Sequence, residues 1–396
     1  MKKPIFAPWP SFDREIVDAV RGVLVSGNVS QWTGPNVYAF EKEYAAYLGV
    51  KHAIAMANGS VTLDVALKVS GIGVGDEVVV PSRSFVASAS CVPLAGAIPV
   101  FADVDPRSGN VTAATIAAAL TKKTKAVIVV HLAGWPCEMD AIMALCREKK
   151  LFLIEDCAQA HGARYKGKPV GTFGHFGSFS FCQDKIITTG GEGGLLVMND
   201  AALWKKAWSF KDHGRDFDIV FNRRTGTDFK WMVNSFGTNY RMTEMQAVIG
   251  RILLKRLEGM VRARRERAGM FNRAFSDMSG LVVTVPPKEC YHAYYKYYVQ
   301  ADPEVLKPGW TRGKILGELS SRGISCGIGA CPELYKEKAF REQRAALGLK
   351  PQKVLPEAER LGKISMMFRV HPTLRKESIK YVIDSMRAVL KRAAAK

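Results

Sequence analysis

Between residues 52 and 198 the chain alternates short apolar runs with stretches of helical character, a pattern that few architectures accept. The runs at 52–56, 77–81, 98–102, 126–131, 151–154 and 195–198 read as strands, and runs this short and this apolar suit strands buried on both faces. Helical stretches at 63–69 and 113–120 separate them. Alternation at this period predicts an α/β fold with a mainly parallel sheet between helices. Two helices precede it, at 11–26 and 36–48. The first spaces Ile16, Val17, Val20, Val23 and Leu24 at helical intervals, with Ser11 and Asp13 as cap candidates. A long helix rich in Leu, Arg and Glu is expected from 242 to about 273. Beyond it, short strands (295–300) mix with helices (313–321, 376–395) in an α+β pattern. The predicted organisation is a large domain over 1–250 including the N-terminal helices, a connecting helix over 251–275, and a smaller C-terminal α+β domain over 276–396.

Open α/β sheets bind ligands at the carboxyl ends of their strands, and three strand ends here carry chemistry. The segment 178–194, Ser-Phe-Ser-Phe-Cys-Gln-Asp-Lys-Ile-Ile-Thr-Thr-Gly-Gly-Glu-Gly-Gly, sets Lys185 between a short strand and a glycine-rich turn. A lysine amine is nucleophilic when deprotonated, and burial favours that form and Schiff-base chemistry with an aldehyde such as pyridoxal phosphate. Ser180 is placed to help hold an anion. The apolar run 151–154 ends in Glu155-Asp156, making Asp156 the candidate carboxylate for a pyridine nitrogen, which keeps the ring protonated and electron-withdrawing. The strand 52–56 leads into Asn58-Gly59-Ser60-Val61-Thr62 at a helix start, where unpaired amides point outward. Gly59, Ser60 and Val61 are the candidates for the cofactor phosphate. A plain helix cap by Asn58 or Ser60 is the structural alternative.

Eight cysteines are scattered without a Cys-x-x-Cys pair, which argues against a zinc site and a disulfide framework and suits a reducing compartment. No metal site is expected. The N-terminus is too short in apolar residues and too rich in proline for a signal segment, and no apolar run approaches the roughly 20 residues that span a bilayer. The expectation is a soluble, cytoplasmic protein. The formal charge of +20 concentrates at 251–273 and 375–396, read as helices with basic, solvated outer faces.

Three pieces in order, Glu-Asp-Cys-Ala-Gln-Ala-His-Gly-Ala (155–163), Ser-Phe-Ser-Phe with Lys185 and Gly-Glu-Gly-Gly (178–194), and Thr-Asn-Tyr-Arg-Met-Thr-Glu-Met-Gln (238–246), resemble the DegT/StrS family of pyridoxal-phosphate aminotransferases, from near residue 10 to the end. The resemblance implies the type I aminotransferase fold and a homodimer with shared sites. It implies transfer of an amino group, from glutamate, to a keto sugar usually carried on a nucleotide, in amino-sugar or surface-polysaccharide biosynthesis, with pyridoxamine phosphate as the intermediate cofactor form. Carried over residue by residue, Phe85 stacks on the pyridine ring, Gln159 contacts the ring's phenolic oxygen or stacks near it, and Asn239 reaches the partner subunit's cofactor phosphate. Trp32, Arg241 and His292 approach the substrate. The family commonly has Gly-Thr where this chain has Gly59-Ser60-Val61-Thr62, which leaves the choice of hydroxyl open. Trp32 equally suits the edge of a core, Tyr294 suits core packing, and His161 suits either a supporting or a core role. Alternative functions are amination of a cyclitol or keto sugar without a nucleotide, and a non-catalytic regulatory protein of this fold whose charge serves nucleic acid.

Overall fold

The computed structural model describes residues 6–221 and 231–394. Its centre is a seven-stranded sheet in the order His52–Met56, Gly194–Met198, Phe176–Ser180, Phe152–Asp156, Thr124–Val130, Glu77–Pro81, Ile98–Ala102. Gly194–Met198 pairs antiparallel with both neighbours, and the other pairings are parallel. The sheet is therefore mainly parallel, as the strand–helix alternation predicts. Its strands are shielded on both faces: Ile54, Val79, Val127, Ile154 and Leu196 are wholly buried, each contributing about 1.5–3 kcal/mol of hydrophobic stabilisation. That double burial is why the strands read as unbroken apolar runs.

Local signals set the helices around this sheet. Asp13 caps the helix Arg14–Ser26, and Gly27 ends it in a left-handed conformation. Asn36–Leu48 has no side-chain cap of its own. Glu244, wholly buried, supplies one from a distance, accepting from the amides of Asn36 at 2.6 Å and Val37 at 2.9 Å. The helix Glu244–Phe275 opens with a capping box between Thr243 and Gln246. Leu253, Leu257 and Val261 pack into the sheet's core, while Ala268, Phe271 and Phe275 pack into a second core further along.

That second core lies under a four-stranded antiparallel sheet, in the order Leu281–Val282, Tyr297–Ala301, Ser365–Phe368, Cys326–Gly327. The helices Arg312–Ser321 and Lys376–Ala393 cover it. Residues Leu334, Tyr335 and Phe340, and Ala358, Leu361 and Ile364, return to the cores flanking the parallel sheet. A further small sheet pairs Arg164–Tyr165 with Lys168–Pro169 and Cys290–Tyr291. One expectation needs correction. The helix 251–273 is not basic only on a solvated face: Arg264 is 1% exposed, donates to the Tyr295 carbonyl at 3.2 Å, and burial lowers its pKa to about 9. The stretch 216–235, without a clear period and carrying Arg223, Arg224, Thr225 and Gly226, reads from the sequence as a long loop; those four residues lie outside the described ones.

Candidate active site

The carboxyl ends of the strands open into a cavity of about 1410 Å³ lined by Gly59, Ser60, Val61, Phe85, Asp156, Gln159, Ser180 and Lys185. Eight positions singled out in the sequence thus converge from four strand ends. The close approach between two of those ends depends on a glycine: a Cβ on Gly59 would lie 2.4 Å from the Cβ of Ser180, well inside any tolerated contact.

Asp156, the last residue of its strand, is 5% exposed. Its Oδ2 accepts from the Ser88 hydroxyl at 2.7 Å and its Oδ1 from the Ala158 amide at 3.0 Å. Ser88 is hydrogen-bonded in turn to Ser84 at 2.9 Å. The carboxylate is fixed in direction before any ligand arrives. Its neighbour Glu155 points elsewhere and accepts from the amides of Gly171, Phe173 and Gly174. His131 lies 3.1 Å from Glu155, and Cys157 completes a trio close enough to hold a metal ion. Because Glu155 is occupied by three amides, the trio reads as a structural clamp beneath the site.

Gln159 accepts from the Ala133 amide at 2.8 Å, which fixes its amide group. Ser180 is 8% exposed. Its carbonyl accepts from Nε2 of His161 at 2.8 Å, while Nδ1 of His161 accepts from the Tyr44 hydroxyl at 2.7 Å. Burial lowers the His161 pKa to about 3, so the ring is neutral and serves as a fixed bracket for the Ser180 strand end. Phe85 is 62% exposed, an unusual exposure for an aromatic ring beside a cavity and one that leaves its surface free for contact with a flat ligand.

Lys185 is half-buried in the turn after Ser180, with its Nζ 5.1 Å from the centroid of the Tyr295 ring. The Tyr295 hydroxyl donates to Asp184, and Lys296 approaches the same carboxylate at 3.2 Å. Burial raises the pKa of Asp184, but the Tyr295 hydrogen bond and the Lys296 and Lys185 ammonium groups outweigh it and hold the carboxyl below its usual range. Burial lowers the pKa of Lys296, with Asp184 opposing. Ser88, Asp184, Tyr295, Lys296 and Trp9, whose indole donates to the Lys185 carbonyl at 2.9 Å, escaped the sequence reading. The one local signal was Ser84 and Ser88, four residues apart just after a strand end.

The helix start is less open than its sequence suggests. The Asn58 side chain accepts from the amides of Ser60 and Val61 at 3.0 and 3.1 Å, so the structural alternative for Asn58 holds. What lines the cavity at this corner is exposed Ser60, buried Ser180 and half-buried Gly59. The Thr62 hydroxyl turns inward to Gly59 O and Ser178.

Four expected site residues do not line this cavity. Trp32 packs among Trp231, Phe221 and Trp208, with ring centroids 4.8, 6.2 and 6.3 Å away, as a tryptophan covering a core edge does. Arg241 is paired with buried Asp212 at 2.7 Å. Asn239 is exposed, its side chain accepting from the Arg241 amide at 3.2 Å. His292 is 4% exposed and stacks on Tyr294 at 3.7 Å. Its Nδ1 accepts from the Tyr294 amide, and burial beside Arg265 keeps it neutral.

A model of the DegT/DnrJ/EryC1/StrS aminotransferase family matches residues 10–387. An aminotransferase from Psychrobacter cryohalolentis superposes with a TM-score of 0.95 at 47% identity, covering 98% of this chain and 99% of that one. The spore coat polysaccharide biosynthesis protein SpsC of Bacillus subtilis is 34% identical over 99% of both chains. A GDP-perosamine synthase of Caulobacter vibrioides is 40% identical over 74% of this chain and 75% of its own.

Proposed function

The chain belongs to the DegT/DnrJ/EryC1/StrS aminotransferase family and is a pyridoxal-phosphate-dependent aminotransferase, and we propose that it moves an amino group from glutamate to a keto sugar carried on a nucleotide. The observation that carries the reading is the convergence of Lys185, Asp156, Gly59, Ser180 and exposed Phe85 on one cavity. The nucleotide-linked acceptor is supported by relatives such as the GDP-perosamine synthase. An intact lysine and carboxylate in that cavity speak against a non-catalytic role.

The residues present fit the cofactor. Asp156 is buried and pre-aimed, and suits the protonated ring nitrogen. Ser60 and Ser180 line the cavity where Gly59 lets the two strand ends approach closely, and suit a phosphate. Phe85 offers a ring face. When bound, pyridoxal phosphate supplies an aldehyde that accepts an amine and a ring that withdraws electrons from the adjacent carbon.

Lys185 supplies the amine that holds the cofactor. Once free, its Nζ would hold or move a proton at the donor's α-carbon as general acid and base. Asp156 keeps the ring nitrogen protonated throughout. Gln159 orients beside the ring edge. In a homodimer with shared sites, exposed Asn239 of one protomer would reach the phosphate corner of the other. Arg241 would follow it only by releasing Asp212, and His292 acts as packing beneath the site rather than as a substrate contact.

The test is product formation. With glutamate and nucleotide-linked keto sugars as acceptors, the purified chain should yield an amino sugar and 2-oxoglutarate, identified by mass. If amination occurs only with free keto sugars or cyclitols, the nucleotide part of the reading is wrong.

A further inference from the structure

Lys185 sits in a closed circuit of contacts drawn from four distant parts of the chain. The Trp9 indole donates to the Lys185 carbonyl at 2.9 Å. The Lys185 Nζ lies 5.1 Å from the Tyr295 ring centroid. The Tyr295 carbonyl accepts from Arg264 at 3.2 Å, and the Arg264 guanidinium returns to the Trp9 ring at 5.0 Å.

Each member is itself held. The Trp9 ring stacks on His371 at 5.9 Å and 22°. The chain just before it is tied down by the Thr373 hydroxyl, which donates to the Pro8 carbonyl at 2.8 Å. Arg264 is buried, and among the described residues it has no carboxylate partner and its Nε and Nη2 make no hydrogen bond. A buried guanidinium so poorly paired is costly, and its position between Trp9 and Tyr295 is what that cost secures. The Lys185 amide also donates to the Cys182 carbonyl at 3.0 Å. Both backbone polar groups of the lysine are therefore committed, which narrows the volume its flexible four-carbon side chain can sweep.

We propose that Trp9 and Arg264 are positioning residues for Lys185. The N-terminal segment anchors the lysine's backbone, and Arg264 holds the backbone of Tyr295, whose ring lies beside the lysine side chain, so that Nζ is presented to the cavity in one place. This rests on the reading of Lys185 as the cofactor-bearing lysine.

The variant Trp9→Phe keeps a smaller aromatic ring against His371 and Arg264 and removes the N–H donor. The measurement is the rate at which cofactor-free protein develops its visible absorption band on adding pyridoxal phosphate, followed by kcat and KM for the amino donor. Loss of one such hydrogen bond should slow band formation by about threefold to tenfold. It should lower kcat by a similar factor, with KM within about twofold and little change in melting temperature. An unchanged rate and an unchanged kcat overturn the proposal. Should Trp9→Phe fail to fold, Arg264→Met decides: it keeps an unbranched side chain without the buried charge, and slower band formation supports the circuit while a normal rate overturns it. Wild-type protein that forms no band, or a Lys185→Ala variant that forms the same band, would instead overturn the lysine assignment itself.

Discussion

At the scale of single residues, the site depends on side chains that support the obvious ones. Ser88→Ala removes the hydroxyl that fixes Asp156. A hydrogen bond to a charged group is worth about 1.5–3 kcal/mol, so kcat should fall by about tenfold to a hundredfold while the melting temperature moves little; steady-state kinetics with the native donor checks this. Gly59→Ala drives a methyl into Ser180 and should cost about 1–3 kcal/mol of stability together with weakened cofactor retention, measured by denaturant unfolding and by dialysis. That Lys185, Asp156 and Ser180 line one cavity was legible because residue type and strand-end position coincide. Ser88 on Asp156, Tyr295 on Asp184 and Trp9 on Lys185 were not, since those partners lie 68, 111 and 176 residues apart and only the folded chain joins them. His292 and Trp32 came from the resemblance alone, and their rings pack in this chain among Tyr294 and Trp135, and Trp231, Phe221 and Trp208, contacts that only the folded chain shows.

At the scale of elements, periodicity located most of the parallel sheet, and chemistry located the caps. Asn58 closes the helix Gly59–Val69. Asn58→Ala should cost about 1 kcal/mol, seen as a lower midpoint of unfolding. It should also free the Ser60 and Val61 amides toward the cavity, so cofactor affinity should fall by less than stability does. The strands His52–Met56, Glu77–Pro81 and Ile98–Ala102 were readable at their bounds because they are apolar runs between turn signals. Pairs such as Arg164–Tyr165 and Cys290–Tyr291 were not, as two residues hold no period. The helix Met139–Glu148 also passed unmarked, and Glu244 capping the helix Asn36–Leu48 is a contact across 207 residues with no local trace.

At the scale of the whole molecule, burial of titratable groups ties stability to pH. Burial holds His161 and His371 near pKa 3 and His292 well below its usual value, so the unfolded chain takes up protons that the folded chain refuses. Stability contributed by neutral histidines is present above the unfolded pKa of about 6.5 and is lost on acidification below it. Glu41 acts oppositely, since burial raises its pKa to about 7 and the folded chain keeps that proton longer. His52 and His175 are lowered as well, and Asp64, raised by burial to about 6, acts with Glu41. Five lowered histidines against two raised carboxyls leave a net uptake of protons on unfolding, so stability should fall by roughly 1–3 kcal/mol per pH unit between pH 5.5 and 4.5; urea midpoints across this range check it, and a midpoint that stays level or rises as pH falls would contradict it. The charge of +20 was legible as a number but not as a distribution, because Arg264 in the basic helix is wholly enclosed. Among the described residues no helix is long and apolar enough to cross a membrane.

The central claim is that Lys185 and Asp156 make this cavity a transamination site. The most direct measurement is the visible absorption spectrum of the purified protein and of Lys185→Ala, before and after adding glutamate. The account predicts a visible band in the native protein that bleaches on adding glutamate as 2-oxoglutarate appears, and no such band in the variant, with both chains melting at similar temperatures. A variant that keeps the band and turns over, or a native protein that stays colourless with added pyridoxal phosphate, would contradict it.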